Sequence, residues 1–202
     1  MIIIFDLDYT LLDTKRFKDG LAEVFNKENF YADHKKYFKD VRVNFNSEKY
    51  LAILKNEGRI DEKREQELRR GLSELFNHMD NYLFSEAENI LKRLKSDGAE
   101  LVLFTFGDKA WHEKKVKSLS IKKFFSHVVY EDKNKGESQY LKSLSKIDEE
   151  ILMVNDNARE TKEMADTIGP KAKVFLIDGP YAENIEHDWP IHELAELNKI
   201  TL

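Results

Sequence analysis

Short apolar runs bounded by polar residues recur along the chain, and each run has the length of a strand. Runs of this kind, rich in branched and aromatic side chains, are typical of strands buried on both faces, as in a parallel sheet. The pattern predicts strands at residues 2–5, 100–104, 128–130, 151–154 and 173–177. A buried sheet therefore forms the centre of the predicted fold.

Helical patterns occupy the segments between the later strands. Ser85 and Glu88 have the spacing of a capping box, and Gly98 stands where a helix would end. Between them lie the apolar residues of one helix face, Ile90, Leu91 and Leu94. Strands that alternate with helices are joined by right-handed crossovers, with helices on both faces of the sheet. The predicted fold class is α/β, with a Rossmann-like parallel sheet core flanked by helices.

The segment between the first two strands breaks this alternation. It has no strand pattern, and its apolar residues recur at a spacing of three to four, as in helices. Gly58 followed by Asp61 indicates that one helix ends and another begins there. The sequence therefore predicts an all-helical insert at residues 15–83, between two parts of a catalytic α/β core at residues 1–14 and 84–202.

Composition narrows the range of functions. The chain of 202 residues has a net charge of −5 and no cysteine, which excludes disulfides, thiolate nucleophiles and iron–sulfur clusters. An acidic chain whose basic residues are interspersed with acids gives no electrostatic footprint for nucleic acid. No segment reaches membrane-spanning length or has the form of a signal peptide, so we expect a cytoplasmic protein that binds neither nucleic acid nor membrane. The oligomeric state is left open.

Two carboxylates one residue apart follow the first predicted strand. Because side chains alternate across a strand, Asp6 and Asp8 lean to the same side while Leu7 points elsewhere. Like charges this close repel one another unless a cation neutralises them, and a hard cation with oxygen ligands is the usual one. The alternative is an ordinary solvated turn, in which aspartate is common.

Polar residues also follow the next three strands. Thr105 comes after the second, Lys133 and Lys135 after the third, and Asp156 after the fourth. The carboxyl ends of parallel strands meet at one edge of a sheet, where α/β proteins bind ligands. A nucleophilic carboxylate, a proton donor, a hydroxyl and a lysine are the groups that phosphoryl transfer requires. The strand ends therefore favour a phosphoryl-transfer site over a turn.

These residues resemble the four motifs of the haloacid dehalogenase superfamily. Asp6-Leu7-Asp8-Tyr9-Thr10 resembles the first, Thr105 the second, a lysine at 133 or 135 the third and Asn155-Asp156 the fourth. The insert at 15–83 resembles the helical cap that follows the first motif and closes over the site. Most members are magnesium-dependent phosphatases, so the resemblance implies Mg²⁺ as cofactor and a small phosphorylated metabolite as partner.

The resemblance assigns a role to each acid. Asp6 would be the nucleophile and Asp8 the general acid and base. Mg²⁺ would be held by the carboxylates of Asp6 and Asp156 and by one backbone carbonyl, that of Leu7 or of Asp8. Members that displace halide need neither the second acid nor the metal, so the presence of Asp8 favours a phosphate ester.

The remaining motifs supply groups for the phosphoryl oxygens. The resemblance implies that Thr105 and the amide of Phe106 bind these oxygens, and that a lysine neutralises them together with the nucleophile. Lys133 is preferred because it follows the strand sooner, and Lys135 is the second choice. Asn155 replaces a usual glycine, and Glu160 is the candidate for the second acid of the fourth motif, the alternative being a favourable charge at a helix start.

The predicted function is hydrolysis of a small phosphomonoester through an aspartyl-phosphate. A phosphomutase shares the same catalytic set and stays an alternative, because it differs only in returning the phosphoryl group to a sugar. A phosphorylatable signalling module is disfavoured by the order of the motifs and by the large insert. A silent binding scaffold is disfavoured because both acids of the first motif are present.

Overall fold

The computed structural model describes residues 1–132 and 135–200, and it divides into two compact units. The first, called the sheet unit, contains residues 1–13, 83–106 and those from 120 onward. The second, called the helical unit, contains residues 14–82 and 107–119. Residues 107–119 thus group with the inserted helices, although they follow the second strand in the chain.

A parallel sheet forms the centre of the sheet unit. Its strands in the described chain are β1 Ile2–Phe5, β2 Glu100–Phe106, β3 His127–Glu131, β4 Ile151–Asn155, β5 Ala172–Ile177 and β6 Ile191–His192. The strand order is β3-β2-β1-β4-β5-β6, so β1 lies between β2 and β4. Ile2 stands opposite Glu100 on one side and Ile151 on the other. The five predicted strands and the α/β class are confirmed.

Two features of the sheet differ from the prediction. Strand β2 continues two residues further, so that Thr105 and Phe106 lie within it and pair with Tyr130 and Glu131 of β3. Strand β6 was not predicted, because two residues are too few to show a hydrophobic period. Its pairing with Leu176 and Ile177 places it at the edge of the sheet next to β5.

Helices connect the strands and build the second unit. In chain order they are α1 Thr14–Phe25, α2 Lys27–His34, α3 Ser47–Asn56, α4 Glu62–Asn77, α5 Ala87–Ser96, α6 Lys109–Lys117, α7 Gln139–Leu144 and α8 Ala158–Ile168. A π-helical turn at Lys35–Lys39 follows α2, and short 3₁₀ segments occur at Met79–Tyr82, Ser120–Phe124, Lys135–Glu137 and Leu194–Lys199. In the described part of the chain, no helix is both long and apolar enough to cross a membrane.

The core of the sheet unit lies on both faces of β1. Ile2 and Ile4 pack with residues of β2, β4, α7 and α8 in one apolar cluster, which includes Val102, Phe104, Leu141, Met153 and Met164. Ile3 and Phe5 point to the opposite face, where the Phe5 ring meets Phe125 edge-on at 6.3 Å. Burial on both faces explains why this strand is continuously apolar.

Helix α5 has the predicted apolar face but a different start. Ile90, Leu91 and Leu94 are fully buried, and Gly98 (φ +89°) ends the helix, with the Ala99 N–H donating to the Leu94 carbonyl. The capping box predicted from Ser85 and Glu88 is wrong. The helix begins at Ala87 after Glu86, without a side-chain cap, because a turn closed by the Ala87 N–H and the Phe84 carbonyl precedes it, so Ser85 lies within that turn and not at the helix start.

The helical unit has an aromatic core and well-capped helices. The predicted break between α3 and α4 is confirmed, since Gly58 adopts φ +68° and the Asp61 side chain caps α4 at the Arg64 N–H. Buried rings from several segments contact one another in this core, among them Phe25, Phe30, Phe38, Tyr50 and Trp111. The buried carboxylate of Asp33 is satisfied by the Tyr50 hydroxyl and by Arg59.

Candidate active site at the carboxyl ends of the strands

Asp6 lies at the first position after the central strand. Its N–H donates to the Val154 carbonyl at 2.9 Å, which continues the pairing of β1 with β4 and fixes the backbone. The side chain is buried, and burial together with the charges of Glu160 and Asp8 raises the pKa of Asp6 to about 6 against the opposing effect of Lys135. The carboxylate is therefore ionised at neutral pH.

A tight turn follows Asp6 and carries Asp8. The N–H groups of Leu11 and Leu12 both donate to the Leu7 carbonyl, at 3.0 and 2.9 Å, and close the turn. Tyr9 adopts φ +60°, a left-handed conformation that is unfavourable for a bulky side chain. The turn keeps Asp8 close enough to Asp6 for its charge to affect the pKa of that residue.

Lys135 joins two of the site's acids. Its ammonium lies 2.7 Å from Asp6 Oδ1 and 2.8 Å from Glu160 Oε2, and the side chain is 1% exposed. Burial alone would lower the pKa of Lys135, but the charges of Asp6 and Glu160 more than offset it and the pKa is raised. The lysine is thus a permanent cation beside the predicted nucleophile, whereas the preferred Lys133 lies outside the described residues.

Asp156 is the second buried acid of the site. Asn155 takes the place of the expected glycine and accepts the Asn157 N–H through Oδ1, and Asn157 in turn caps α8 at the Glu160 N–H. Burial and then the charge of Asp6 raise the pKa of Asp156 to about 8. Asp156 Oδ2 is buried and has no hydrogen-bond partner within the described residues.

The donor set fits a hard cation. A buried carboxylate oxygen without a partner and two neighbouring acids with raised pKa values are the conditions that a cation relieves. No three His, Cys, Asp or Glu side chains of the described chain form a closed metal cage. Mg²⁺ does not require one, because it usually binds one or two carboxylates and keeps water or phosphate oxygens as its other ligands.

One of the two predicted carbonyl ligands is already engaged. The Leu7 carbonyl accepts two N–H groups, as described above, and a carbonyl oxygen has two lone pairs. Asp8 is the other candidate for the backbone ligand. The turn therefore favours the Asp8 carbonyl over that of Leu7.

Thr105 and Phe106 end β2 at the same edge of the sheet. Thr105 is buried, and Phe106 is followed by Gly107, whose φ of +138° turns the chain away from the sheet. A Cβ atom at position 107 would lie 2.5 Å from His112 Nε2, so this position requires glycine. A second glycine, Gly179 after β5, lies so close to Asp156 that its Cβ would be 2.7 Å from that of Asp156.

The structure brings together most of the side chains predicted for the site. Asp6, Asp156 and Glu160 interact electrostatically with one another and with Lys135, and Asp8 acts on both aspartates. The sequence missed the contact of Gly179 with Asp156, because it depends on a loop beyond β5 that none of the four motifs includes. A glycine two residues after the apolar run of β5 was the available signal.

The comparisons with known proteins identify the family of the chain. The family model described as haloacid dehalogenase-like hydrolase matches residues 3–172. A protein of Burkholderia xenovorans described as a haloacid dehalogenase-like hydrolase is 19% identical, with a TM-score of 0.73 over 98% of this chain and 95% of that one. A search of curated proteins gave no match.

Two further solved structures share the fold. A protein of Thermotoga maritima described as a beta-phosphoglucomutase is 15% identical, with a TM-score of 0.63 over 98% of this chain and 97% of that one. A HAD-hydrolase of Bacillus subtilis, whose structure is bound to magnesium, is 17% identical, with a TM-score of 0.62 over 98% and 96%. At these identities the likeness concerns the fold alone.

Proposed function

The chain belongs to the haloacid dehalogenase-like hydrolases, and from that premise we propose that it is a magnesium-dependent phosphatase acting on a small phosphomonoester. The observation that carries the proposal is the buried carboxylate of Asp6 at the end of the central strand, which lies 2.7 Å from the Lys135 ammonium and is followed by Asp8. A carboxylate so placed is suited to attack phosphorus. That the helical insert acts as the cap of this family stays a prediction.

The proposed reaction assigns a defined role to each residue of the site. Asp6 attacks phosphorus through Oδ2, the oxygen that Lys135 does not hold, and the bond from phosphorus to the leaving oxygen breaks. Asp8 gives its proton to that oxygen and then takes a proton from water, which attacks the aspartyl-phosphate and releases phosphate. Lys135 and Thr105, with the Phe106 amide, stabilise the charge on the phosphoryl oxygens.

Magnesium is assigned to the two buried aspartates. Asp6, Asp156 and the Asp8 carbonyl would hold the ion, and the unpartnered Asp156 Oδ2 supports this. When bound, Mg²⁺ offsets the negative charge that the carboxylates and the phosphate bring together. The magnesium in the Bacillus subtilis HAD-hydrolase is consistent with the same assignment.

The second acid favours hydrolysis of a phosphate ester over displacement of halide, because only an ester needs a proton on its leaving group. The phosphomutase alternative uses the same residues. An assay that follows both release of inorganic phosphate and isomerisation of a sugar phosphate separates the two, since a mutase returns the phosphoryl group and a phosphatase releases it. We expect phosphate release.

The proposal is tested with 4-nitrophenyl phosphate in the presence of magnesium. We expect hydrolysis by the wild-type chain and a loss of kcat of at least about 10³-fold in Asp6→Asn, because the nucleophile is removed. Asp97→Asn makes the same change at an exposed residue paired with Arg93 and should leave kcat unchanged. Full activity in Asp6→Asn, or in the wild type with excess chelator, would contradict the mechanism.

A further inference from the structure

Asp108 is the point at which the inserted helices are bonded to the segment that follows β2. Its Oδ1 accepts hydrogen bonds from the Asn46 side chain at 2.7 Å and from the Trp111 N–H at 3.0 Å. Its Oδ2 lies 2.8 Å from the Lys49 ammonium. Asn46 itself caps α3 at the Glu48 N–H, so the caps of α3 and α6 are bonded to each other. All of these residues belong to the helical unit.

The backbone that connects β2 to α6 has little conformational freedom. Phe106 ends β2, Gly107 follows with φ +138°, and Asp108 caps α6. His112 lies directly against Gly107, so the position has no room for a Cβ atom. We call residues 106–108 the β2 turn. Gly107 alone separates Asp108 from Phe106, so a shift of Asp108 acts on the Phe106 end of β2.

We propose that Asp108 is a positioning residue, through which Lys49 and Asn46 of the helical insert hold the β2 turn in the conformation that binds the phosphoryl group. This rests on the proposed function, in which Thr105 and the Phe106 amide bind phosphoryl oxygens. The insert thereby contributes to catalysis from α3, through a residue that does not itself touch the substrate.

Removal of the ion pair between Lys49 and Asp108 distinguishes a positioning role of Asp108 from a purely structural one. The Lys49 side chain is 53% exposed, and an ion pair of this kind contributes little to the stability of a fold. Orientation at a reacting centre is far more sensitive, since displacements of about 1 Å can cost about 100-fold in rate. Loss of this ion pair should therefore lower activity far more than it lowers the melting temperature.

The chain offers a closely matched control. Lys55 lies on the same helix, is 52% exposed and pairs with Glu65 at 2.8 Å, while Lys49 is 53% exposed and pairs with Asp108 at 2.8 Å. Lys49→Met and Lys55→Met therefore remove equivalent ion pairs from α3. Asp108→Asn keeps an oxygen that can cap α6, since asparagine and aspartate are equally good caps, and removes the charge that attracts Lys49.

The test measures kcat/KM for 4-nitrophenyl phosphate, inhibition by inorganic phosphate, and the melting temperature. We expect Lys49→Met and Asp108→Asn each to lower kcat/KM about 10-fold and to weaken phosphate inhibition. The double variant should lose no more than either single variant. Lys55→Met should stay within about twofold of the wild type. The melting temperatures of the two lysine variants should agree.

Equal kcat/KM values for Lys49→Met and Lys55→Met would overturn the proposal. Hydrogen exchange at the amides of residues 106–111 tests it independently of catalysis. Lys49→Met should exchange faster there than Lys55→Met, even if the wild type proves inactive on phosphate esters and the proposed function fails. Unchanged exchange in the β2 turn would also overturn it.

Discussion

At the scale of single residues, the site is defined by an excess of buried negative charge. Lys135 neutralises part of it through Asp6 and Glu160, but the pKa of Asp156 remains raised to about 8. A buried lysine keeps its charge only when acids surround it, and a buried acid ionises only when a cation is near. Each group therefore sets the charge state of the others, and the remaining excess is what a divalent cation would relieve.

Lys135→Met should abolish most of the phosphatase activity. Removing the ammonium leaves Asp6 beside other acids without its partner, so its pKa rises further and less of it is ionised to attack phosphorus. We expect kcat/KM for 4-nitrophenyl phosphate to fall by about 10²- to 10³-fold.

Lys133→Met is the comparison that identifies the lysine of the third motif. If Lys135 is that residue, Lys133→Met keeps kcat/KM within about threefold of the wild type. The reverse pattern, with a large loss of kcat/KM in Lys133→Met and a small one in Lys135→Met, would identify Lys133 as the lysine of the third motif, as the sequence favoured. Circular dichroism of both variants confirms that each is folded.

At the scale of elements, the segments that follow β4 and β5 contact each other at the site. Gly179, in the loop after β5, packs against Asp156 at the end of β4, and the two strands are neighbours in the sheet. The loop after β5 therefore lies directly against the Asp156 side chain. An interior this tightly packed does not accept an added methyl group without a shift of its neighbour.

Gly179→Ala should raise the magnesium concentration needed for activity. The new Cβ would lie 2.7 Å from the Asp156 Cβ, so the carboxylate has to move. We expect a rise of about tenfold in the half-saturating magnesium concentration, corresponding to about 1.4 kcal/mol of weakened binding. A titration of activity against magnesium measures it.

Gly71→Ala is the control for this change. Gly71 lies within α4 of the helical unit, and a Cβ atom added there would lie 3.0 Å from a Val24 methyl group. The half-saturating magnesium concentration should stay at the wild-type value there. A value for Gly179→Ala that also equals the wild type would show that Asp156 does not bind the ion.

The sequence predicted the elements whose signals are local. Strands β1 to β5 were predicted because each is a continuous apolar run, and Gly58 with Asp61 marked the end and start of helices correctly. The predicted start of α5 was wrong because Ser85 lies in a turn between Phe84 and Ala87, and the helix begins only after that turn. A two-residue strand such as β6 has no period to detect.

The site was predictable as a set of strand ends but not in its contacts. The spacing from β3 favoured Lys133 over Lys135, yet which lysine reaches Asp6 depends on the 3₁₀ turn at Lys135–Glu137, which the sequence did not indicate. Contacts between distant segments, such as that of Asn46 with Asp108, follow from tertiary packing and leave no local pattern.

At the scale of the whole molecule, the two units have cores of different chemistry. The sheet unit is built on aliphatic strands, whereas the helical unit packs aromatic rings around His34, which contacts Phe30, Phe38 and Phe45. Burial, and then the charges of Lys18 and Lys39, lower the pKa of His34. The helical unit therefore contains a partly buried imidazole whose surroundings favour the neutral form.

Mild acid should remove the stability that His34 contributes, while the raised pKa values of Asp6 and Asp156 act in the opposite direction. In the unfolded chain this histidine takes up a proton near its ordinary pKa of about 6.5, but the folded chain resists protonation until the pH falls to the lowered value. Stability from this group is thus complete above about pH 6.5 and is lost as the pH falls, by up to about 1.4 kcal/mol per pH unit. Urea unfolding between pH 7.5 and pH 5 measures it.

His34→Phe should lose less stability than the wild type, or gain more, as the pH falls over this range, because phenylalanine keeps the ring contacts and has no proton to gain. His78→Gln, which changes an exposed histidine at the end of α4, should keep the wild-type slope. If the slope in His34→Phe equals that of the wild type, other groups cause the acid sensitivity.

The central position of β1 in the sheet has a consequence for the synthesis and folding of the protein. Its four residues pair with residues 100–103 and 151–154, so the strand has no neighbour until residues 100–103 have been synthesised and no second neighbour until residues 151–154 have followed. Pairings this distant in sequence form slowly during folding, after local helices. Asp6 is therefore synthesised before every partner that gives it its chemistry, and the candidate site is complete only after strands from three distant segments have paired.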